Sequence, residues 1–214
     1  MRKLFLSVVF LLIPLLVLAF EVEIDGIQYY SEGSEVIVRG AIGNIKGKVE
    51  IPSKISFEGN DYNVTSIGIY AFYGCSNITS ISIPGNVSSI GDYAFYSCSG
   101  FVSISLPECL TNIGAYAFSG CTNLSSIEIP GGVISIGDYA FYGCNSLTTI
   151  FIPENVTYIG NSAFVDCINL LTMSVASYNL AYDSRDNCNA IINSSNNTLI
   201  AGCKNSVIPE TVIK

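Results

Sequence analysis

The cysteines are the residues of this chain whose type and spacing most directly suggest chemistry. The 214-residue sequence has 8 cysteines, and five of them recur every 23 residues, at Cys75, Cys98, Cys121, Cys144 and Cys167. Five thiols in a line suggest a metal or redox site, but zinc needs ligands that converge as a tetrahedron, usually from paired C-x-x-C spacings. The chain has neither a C-x-x-C pair nor a histidine. We therefore predict free structural thiols, one buried in each layer of a stack.

Two further cysteines, Cys188 and Cys203, flank the hairpin-like stretch NAIINSSNNTLIAG, whose midpoint falls between Ser195 and Asn196. Counting outward from that midpoint makes the two cysteines cross-strand partners. The oxidising conditions outside the cell favour a disulfide. Directly opposed cysteines, however, often have poor bridging geometry. The sequence therefore leaves a disulfide and a pair of free thiols open.

The other polar residues do not form a recognisable catalytic or metal site. Without histidine there is no Ser-His or Cys-His pair and no H-E-x-x-H motif. The acids are scattered over predicted turns, without the close pair that glycoside hydrolysis requires. Asp183, Asp186, Asn187 and Asn189 could offer oxygens to calcium, but their spacing departs from the EF-hand loop, and Asp and Asn are ordinary turn residues. We predict no catalytic residue, no metal and no cofactor.

Charge and the first residues narrow the class of protein further. The formal net charge is -8 with only nine Lys and Arg, which argues against nucleic-acid binding because that requires a basic surface. The opening MRKLFLSVVFLLIPLLVLAF predicts a signal peptide over residues 1–19, with small Val17 and Ala19 before the cleavage point. A retained anchor is the alternative, but the run is short for a hydrocarbon core of about 30 Å. We expect a secreted or cell-surface protein without a membrane span after cleavage.

The 23-residue step of the cysteines belongs to a longer repeat. Its consensus is I-P-x-x-V-x-x-I-G-x-x-A-F-x-x-C-x-x-L-x-x-I-x, with copies starting at Ile83, Leu106, Ile129 and Ile152 and an earlier, longer one at Ile51. A fixed period of 20 to 50 residues is the signature of a stacked repeat architecture. We therefore predict a single solenoid.

The residue pattern of each unit predicts one strand and one turn. The stretch SLTTIFIP alternates apolar and polar residues, as a half-buried strand does, and its proline ends the ladder. The glycine of the I-G pair is expected to adopt a positive φ at a tight corner, and the A-F pair and the cysteine are expected to face inward. Stacking places neighbouring strands about 4.8 Å apart in a parallel sheet.

The repeat also sets the predicted organisation of the chain. Gly59 and Asn60 lie between short alternating runs and predict a hairpin. After residue 174 the pattern lapses, and it returns only in VIPETVIK. We predict a β-rich N-terminal cap over 20–62, a regular array over 63–174, an irregular island with a hairpin over 175–207, and the start of a further, truncated repeat over 208–214.

The phrase IGDYAFYGCNSLTTIFIPENV resembles the BspA-type leucine-rich repeat family. The segments FEVEIDGIQYY and YDSRDNCNAIINSSNNTLIAGCKNSVIP look like those that flank such arrays. The resemblance implies a right-handed leucine-rich-repeat stack in a secreted or surface protein of host-associated microbes. Some members of that family are adhesins for host matrix proteins. The resemblance leaves the ligand open.

Solenoids bind partners through extended surfaces whose side chains do not pack in the core. The predicted ligand-binding residues are the outward positions of the repeated strand: Ser80, Ser82, Ser103, Ser105, Ser126, Glu128, Thr149, Phe151, Thr172 and Ser174. We expect a protein ligand, such as a host extracellular matrix protein. A purely structural surface protein and a carbohydrate-binding or carbohydrate-active protein are the alternatives. The repeated tyrosines, such as Tyr93 and Tyr116, form stripes on the outer turn that could bind sugars or proteins, but half-buried packing of a convex face is the expected role.

Overall fold

The computed structural model describes residues 6–7 and 19–213. Strands and turns dominate, and the one helical segment among these residues is a 3-10 turn at Arg185–Asn187. The predicted signal peptide, residues 1–19, lies almost entirely outside the described residues. As predicted, the regular part of the chain is a stack of repeat units with parallel strand pairing between them.

Antiparallel strands open the described chain. Glu21–Ile24 pairs with Leu6–Ser7 and with Ile27–Glu32, which in turn pairs with Glu35–Ala41. Glu35–Ala41 then pairs in parallel with Asn60–Ile67, the first strand of the repeats. This strand converts the antiparallel N-terminal sheet into the parallel stack.

The predicted hairpin forms between Lys54–Phe57 and Asn60–Ile67. Its two turn residues are Glu58 and Gly59, with φ of 50° and 81°. Two successive positive φ values are typical of a type I′ turn, whose twist matches that of the flanking strands. The turn therefore lies one residue earlier than the pair Gly59 and Asn60 that the sequence suggested.

Two parallel ladders run along the stack. The first ladder consists of Asn60–Ile67, Ser89–Ile90, Asn112–Ile113, Ser135–Ile136 and Tyr158–Ile159. Residues 23 apart lie opposite one another in it, as Ile113 and Ile136 do. The sequence analysis did not predict this ladder, because a two-residue strand is too short to show alternation.

The second ladder is the one that the sequence predicted. Its strands pair two by two: Gly47–Glu50 with Ile78–Ser82, Ser103–Ile104 with Ser126–Ile127, and Thr149–Ile152 with Thr172–Val175. A single bridge between Ser82 and Ser105 joins the first pair to the second. Within the array the pairing is parallel with the 23-residue register, as Ser103 with Ser126 and Thr149 with Thr172 show. The first pair is also parallel but has a longer offset, since Val49 lies opposite Ile81. Gly47–Glu50 pairs with Ile78–Ser82, so this ladder starts inside the segment that we assigned to the N-terminal cap.

A column of phenylalanine rings fills the space between the ladders. Its members are Phe72, Phe95, Phe118, Phe141 and Phe164. Successive ring centroids are 5.3 to 5.5 Å apart and the rings are nearly parallel. The alanine before each ring is also buried. The inward direction predicted for the A-F pair is therefore confirmed, and each layer covers the ring of the next.

The predicted positive φ at the glycine of the I-G pair is wrong, and the glycine is needed for another reason. Gly91, Gly114 and Gly137 do not adopt a positive φ. They are required because neighbouring layers approach closely: a Cβ on Gly114 would lie 2.5 Å from the backbone carbon of Gly91 and 2.6 Å from the nitrogen of Asp92. Only a residue without a side chain allows the layers to stack at this point.

The positive φ occurs two residues later, on tyrosines. It is 60° at Tyr70 and 56° at Tyr93, Tyr116 and Tyr139. The left-handed conformation costs a non-glycine residue about 1 kcal/mol or more, and it persists only where the surrounding structure requires it. Here the N–H of each tyrosine donates to the next layer, as Tyr93 N–H does to Ala115 O at 2.8 Å. The turn is therefore fixed by bonds between layers.

The chain beyond the array forms a three-stranded antiparallel sheet. Its strands are Tyr182–Asp183, Ala190–Asn193 and Leu199–Gly202. Val212 N–H donates to Pro209 O at 3.1 Å, the same bond that Val133 makes to Pro130 in the array. The assignment of residues 208–214 to a further repeat stays a prediction, with this shared turn in its favour.

Candidate binding face

The ten outward residues of the second ladder form a surface that we call the strand face. Eight of the ten are exposed, while Ser80 and Ser174 are partly buried. Phe151 is the one large apolar residue among them, and it is 52% exposed. The intervening residues, such as Ile127 and Ile150, are buried. The alternation predicted for this strand therefore places the ten side chains outside the core.

None of these ten side chains makes a hydrogen bond or ion pair to any residue that the structure describes. The hydroxyls of adjacent positions behave differently. Ser125 Oγ donates to Val102 O at 3.2 Å, and Thr148 Oγ1 donates to Ser125 O at 3.5 Å. Hydroxyl groups just beside the strand face thus connect layers, whereas those on it remain available to a partner.

A groove of about 390 Å³ crosses the strand face near its C-terminal half. It is lined by Glu128, Thr149, Phe151, Thr172 and Ser174, five of the predicted ligand-binding residues. A second groove of about 370 Å³ adjoins it and includes Ser105 and Ser126. Both grooves also contain Glu108, a residue that the sequence analysis did not select. The strand positions were visible in the repeat, but Glu108 lies in the turn after a proline.

The predicted cysteine ladder is buried except at its first member. Cys98, Cys121, Cys144 and Cys167 are buried free thiols. Each thiol donates to the phenylalanine carbonyl of the preceding layer, as Cys121 Sγ does to Phe95 O at 3.2 Å. Burial raises the pKa of Cys98 to about 12 and that of Cys167 to about 11. A raised pKa keeps a thiol protonated, which suits a structural donor and not a nucleophile.

Cys75 departs from the prediction because it is only partly buried. The four later cysteines of the ladder each donate to the phenylalanine carbonyl of the preceding layer, as Cys98 Sγ does to Phe72 O at 3.0 Å. Cys75 belongs to the first layer that contains this turn and has no such carbonyl before it. Its sulfur instead lies 4.0 Å from Tyr73 O. The ladder of buried thiols therefore begins at the second phenylalanine.

Cys188 and Cys203 are free thiols in the structure, so the disulfide alternative is not realised there. The predicted register holds near the turn, where Ile192 lies opposite Leu199. A bulge after Ile191 then shifts the pairing by one residue. Cys203 therefore lies beside Asn189, and its Sγ donates to Asn189 O at 3.2 Å. A one-residue shift sends side chains to opposite sides of a sheet, which separates the two sulfurs.

The residues that suggested calcium are also engaged in turns. Asp186, Asn187 and Asn189 have positive φ values. Asp183 accepts hydrogen bonds from the guanidinium of Arg185, and these hydrogen bonds lower the pKa of the carboxyl group. No group of three or more metal-ligating side chains is found in the described ranges. These ranges likewise contain no helix that is long and apolar enough to cross a membrane.

The repeated tyrosines form a second surface, the turn face, which consists of Tyr70, Tyr73, Tyr93, Tyr96, Tyr116, Tyr139 and Tyr142. Tyr93 stacks on Tyr116, and Tyr116 on Tyr139, with centroids 4.7 Å apart in both pairs. Six of the seven rings therefore use a flat side against a neighbour, while Tyr142 contacts Tyr139 edge to face. This arrangement is the packing that we expected for these tyrosines.

Comparison with known families gives one match. The model of the BspA type leucine rich repeat region matches residues 53–192 in six copies. A search of curated proteins finds no match.

Several solved structures resemble the chain. A leucine-rich repeat protein from Bacteroides ovatus ATCC 8483 is 41% identical with a TM-score of 0.66, and the match covers 72% of this chain and 40% of that one. The T. pallidum leucine rich repeat protein is 32% identical with a TM-score of 0.65, covering 70% and 68%. A leucine rich cell surface protein from Faecalibacterium prausnitzii A2-165 is 23% identical with a TM-score of 0.54, covering 84% and 60%, and shows a likeness of fold alone.

Proposed function

The chain belongs to the BspA-type leucine-rich repeat family, and from this premise we propose that it is a secreted or cell-surface protein that binds a protein ligand through the strand face. The role that we propose for this binding is adhesion, with a ligand such as a host extracellular matrix protein. The basic and apolar pattern of residues 1–19 supports export.

One observation carries this proposal: ten outward side chains, repeated over five layers, make no bond within the described chain. A repeat protein whose surface residues served only the stack would use such positions to join layers, as the neighbouring hydroxyls do. An extended surface of uncommitted side chains is what solenoids present to partners. Phe151 offers the large aromatic anchor that dominates many protein interfaces.

Binding to a panel of immobilised matrix proteins and glycans tests the proposal. We expect saturable binding of the purified chain to at least one matrix protein at micromolar concentration or below. Phe151→Ala should weaken this binding about tenfold or more, because truncation of a central aromatic anchor removes a large share of interface energy. Surface plasmon resonance measures both the affinity and the dissociation rate.

Tyr73→Ala is the matched control, since Tyr73 is also an aromatic residue with 52% exposure but lies on the turn face. Its affinity should stay within about twofold of the unmodified chain. Equal losses in both variants would place the interface elsewhere. The absence of binding throughout the panel would favour the purely structural alternative, and turnover of any glycan would overturn the proposal.

A further inference from the structure

The repeat array carries charge of only one sign. Between residues 55 and 184 the sequence contains no Lys and no Arg. The array over 63–174 has six acids: Asp92, Glu108, Glu128, Asp138, Glu154 and Asp166. The ion pairs of the described chain all lie outside the array, as those of Glu50 with Lys48 and Asp183 with Arg185 do. The array therefore has no basic residue of its own to neutralise its carboxylates.

Three of the six acids have a partner within the described chain and three do not, and Asp166 is one of the first three because it interacts with the Tyr142 hydroxyl. Asp92 and Asp138 are used by the fold, since each Oδ1 accepts a backbone N–H of the next layer at 2.7 Å. Glu108, Glu128 and Glu154 accept no hydrogen bond from any described residue. The three unused carboxylates are the ones that line the groove across the strand face.

The groove brings these carboxylates together with an exposed aromatic ring. Glu108 and Glu154 occupy the same position of the repeat, two layers apart, and Glu128 lies in the layer between. Phe151 lies in the same groove. Adjacent layers of a sheet are about 4.8 Å apart, so the outer two glutamates start about 10 Å apart along the stack. Carboxylates spread in this way do not converge on one point, which agrees with the lack of any metal-ligand cluster in the described residues.

We propose that the partner docks on this groove with an extended, lysine- and arginine-rich segment. This inference rests on the proposed function and names the chemistry of its ligand. Cationic side chains a few residues apart on an extended segment can reach separate carboxylates, which a single ion cannot. An arginine or lysine of the segment can also lie over the ring of Phe151, because aromatic faces attract cations. Long-range attraction by one-signed charge accelerates association with such a partner and weakens with salt.

A labelled peptide with alternating lysine and serine residues tests this chemistry directly. Fluorescence anisotropy should show saturable binding to the full chain in low salt and a steep loss of affinity as salt is raised. A peptide with alternating glutamate and serine should not bind. The double variant Glu128→Gln, Glu154→Gln should lose about tenfold in affinity and show a shallower salt dependence.

The double variant Asp166→Asn, Asp186→Asn is the matched control. It changes net charge by the same amount at two exposed residues outside the groove, and asparagine tolerates the left-handed φ of 60° and 56° at these positions. Its affinity for the lysine peptide should stay within about twofold of that of the unmodified chain. Equal losses in the two double variants would overturn the inference, because binding would then follow net charge and not the groove.

The same peptide separates this inference from the proposed function on which it rests. A matrix protein that binds through Phe151 but is not displaced by the lysine peptide would overturn the basic-segment inference and leave the strand face as the interface. Displacement that is lost in the Glu128→Gln, Glu154→Gln variant would support both. Binding of the lysine peptide without any Phe151-dependent protein ligand would support the groove chemistry and count against adhesion.

Discussion

On the turn side of the repeat, side chains join neighbouring layers, whereas the side chains of the strand face make no hydrogen bond or ion pair within the described chain. On the turn side, Cys121 donates to Phe95 O, Asp92 accepts from Ala115 N–H, and Tyr93 stacks on Tyr116. On the strand face, residues such as Ser126 and Thr149 have no such partner. The contrast shows that the side chains of the turn side contribute to the joining of layers and that the ten side chains of the strand face do not.

The largest effect should come from emptying the core between the two faces. Phe118 is fully buried in the middle of the ring column, while Phe151 is 52% exposed on the strand face. Phe118→Ala should lower the free energy of unfolding by about 3 to 5 kcal/mol, because the layers cannot close over the lost ring. Phe151→Ala should change it by less than about 0.5 kcal/mol. Urea unfolding of both variants measures this difference. Similar losses in the free energy of unfolding would contradict the assignment of Phe118 to the core and of Phe151 to the surface.

The next effect concerns the close approach of layers on the turn side. Gly114→Ala should destabilise the chain by about 1 to 3 kcal/mol, because its Cβ would meet backbone atoms of the preceding layer. Gly85→Ala is the control, since a Cβ there meets nothing within 4 Å and the residue does not have a positive φ. Thermal unfolding should separate the two variants. If both glycines tolerate alanine, tight stacking is not the reason for the repeated glycine.

A smaller effect should appear at alkaline pH through the buried thiols. The pKa of Cys98 rises from its ordinary 9.0 to about 12 because burial disfavours the thiolate. Above pH 9 the unfolded chain loses this proton and the folded chain keeps it, so the thiol's contribution to stability falls as pH rises towards 12. The stability of the unmodified chain should therefore fall more steeply than that of Cys98→Ala, by about 1.4 kcal/mol per pH unit.

Urea unfolding between pH 7 and 10.5 checks this difference in slope. Below pH 8 the two curves should run parallel, since the thiol is protonated in both the folded and the unfolded chain. Parallel curves up to pH 10.5 would mean that burial does not raise the pKa of the Cys98 thiol in the folded chain.

The sequence predicted what depends on the 23-residue period. Phe118 and Cys121 were predicted to face inward because they recur in every unit, and Ser126 outward because it alternates with Ile127. The period shows that a residue recurs but not why it is needed. We predicted that Gly114 recurs because of a positive φ, whereas the structure shows that it recurs because neighbouring layers approach closely. It also could not reveal events that happen once, such as the bulge after Ile191 that separates Cys188 from Cys203.

The groove was only partly predictable for the same reason. Glu128 and Phe151 were selected because they occupy outward strand positions. Glu108 was missed because it lies in a turn, and only the fold brings that turn beside the strands. The net charge of the whole chain does not indicate where the carboxylates lie. The lack of Lys and Arg in the array becomes informative because the fold places three unpaired glutamates along one groove.

Mapping the interface by NMR tests the division between the two faces most directly. The isotopically labelled chain is titrated with a matrix protein that binds it in the panel or with the lysine peptide, and the amide chemical shifts are followed. The account predicts the largest changes at Ser126, Glu128, Thr149 and Phe151, with the amides of Tyr93 and Tyr116 unchanged. Changes centred on the tyrosines, with the strand face unaffected, would contradict it.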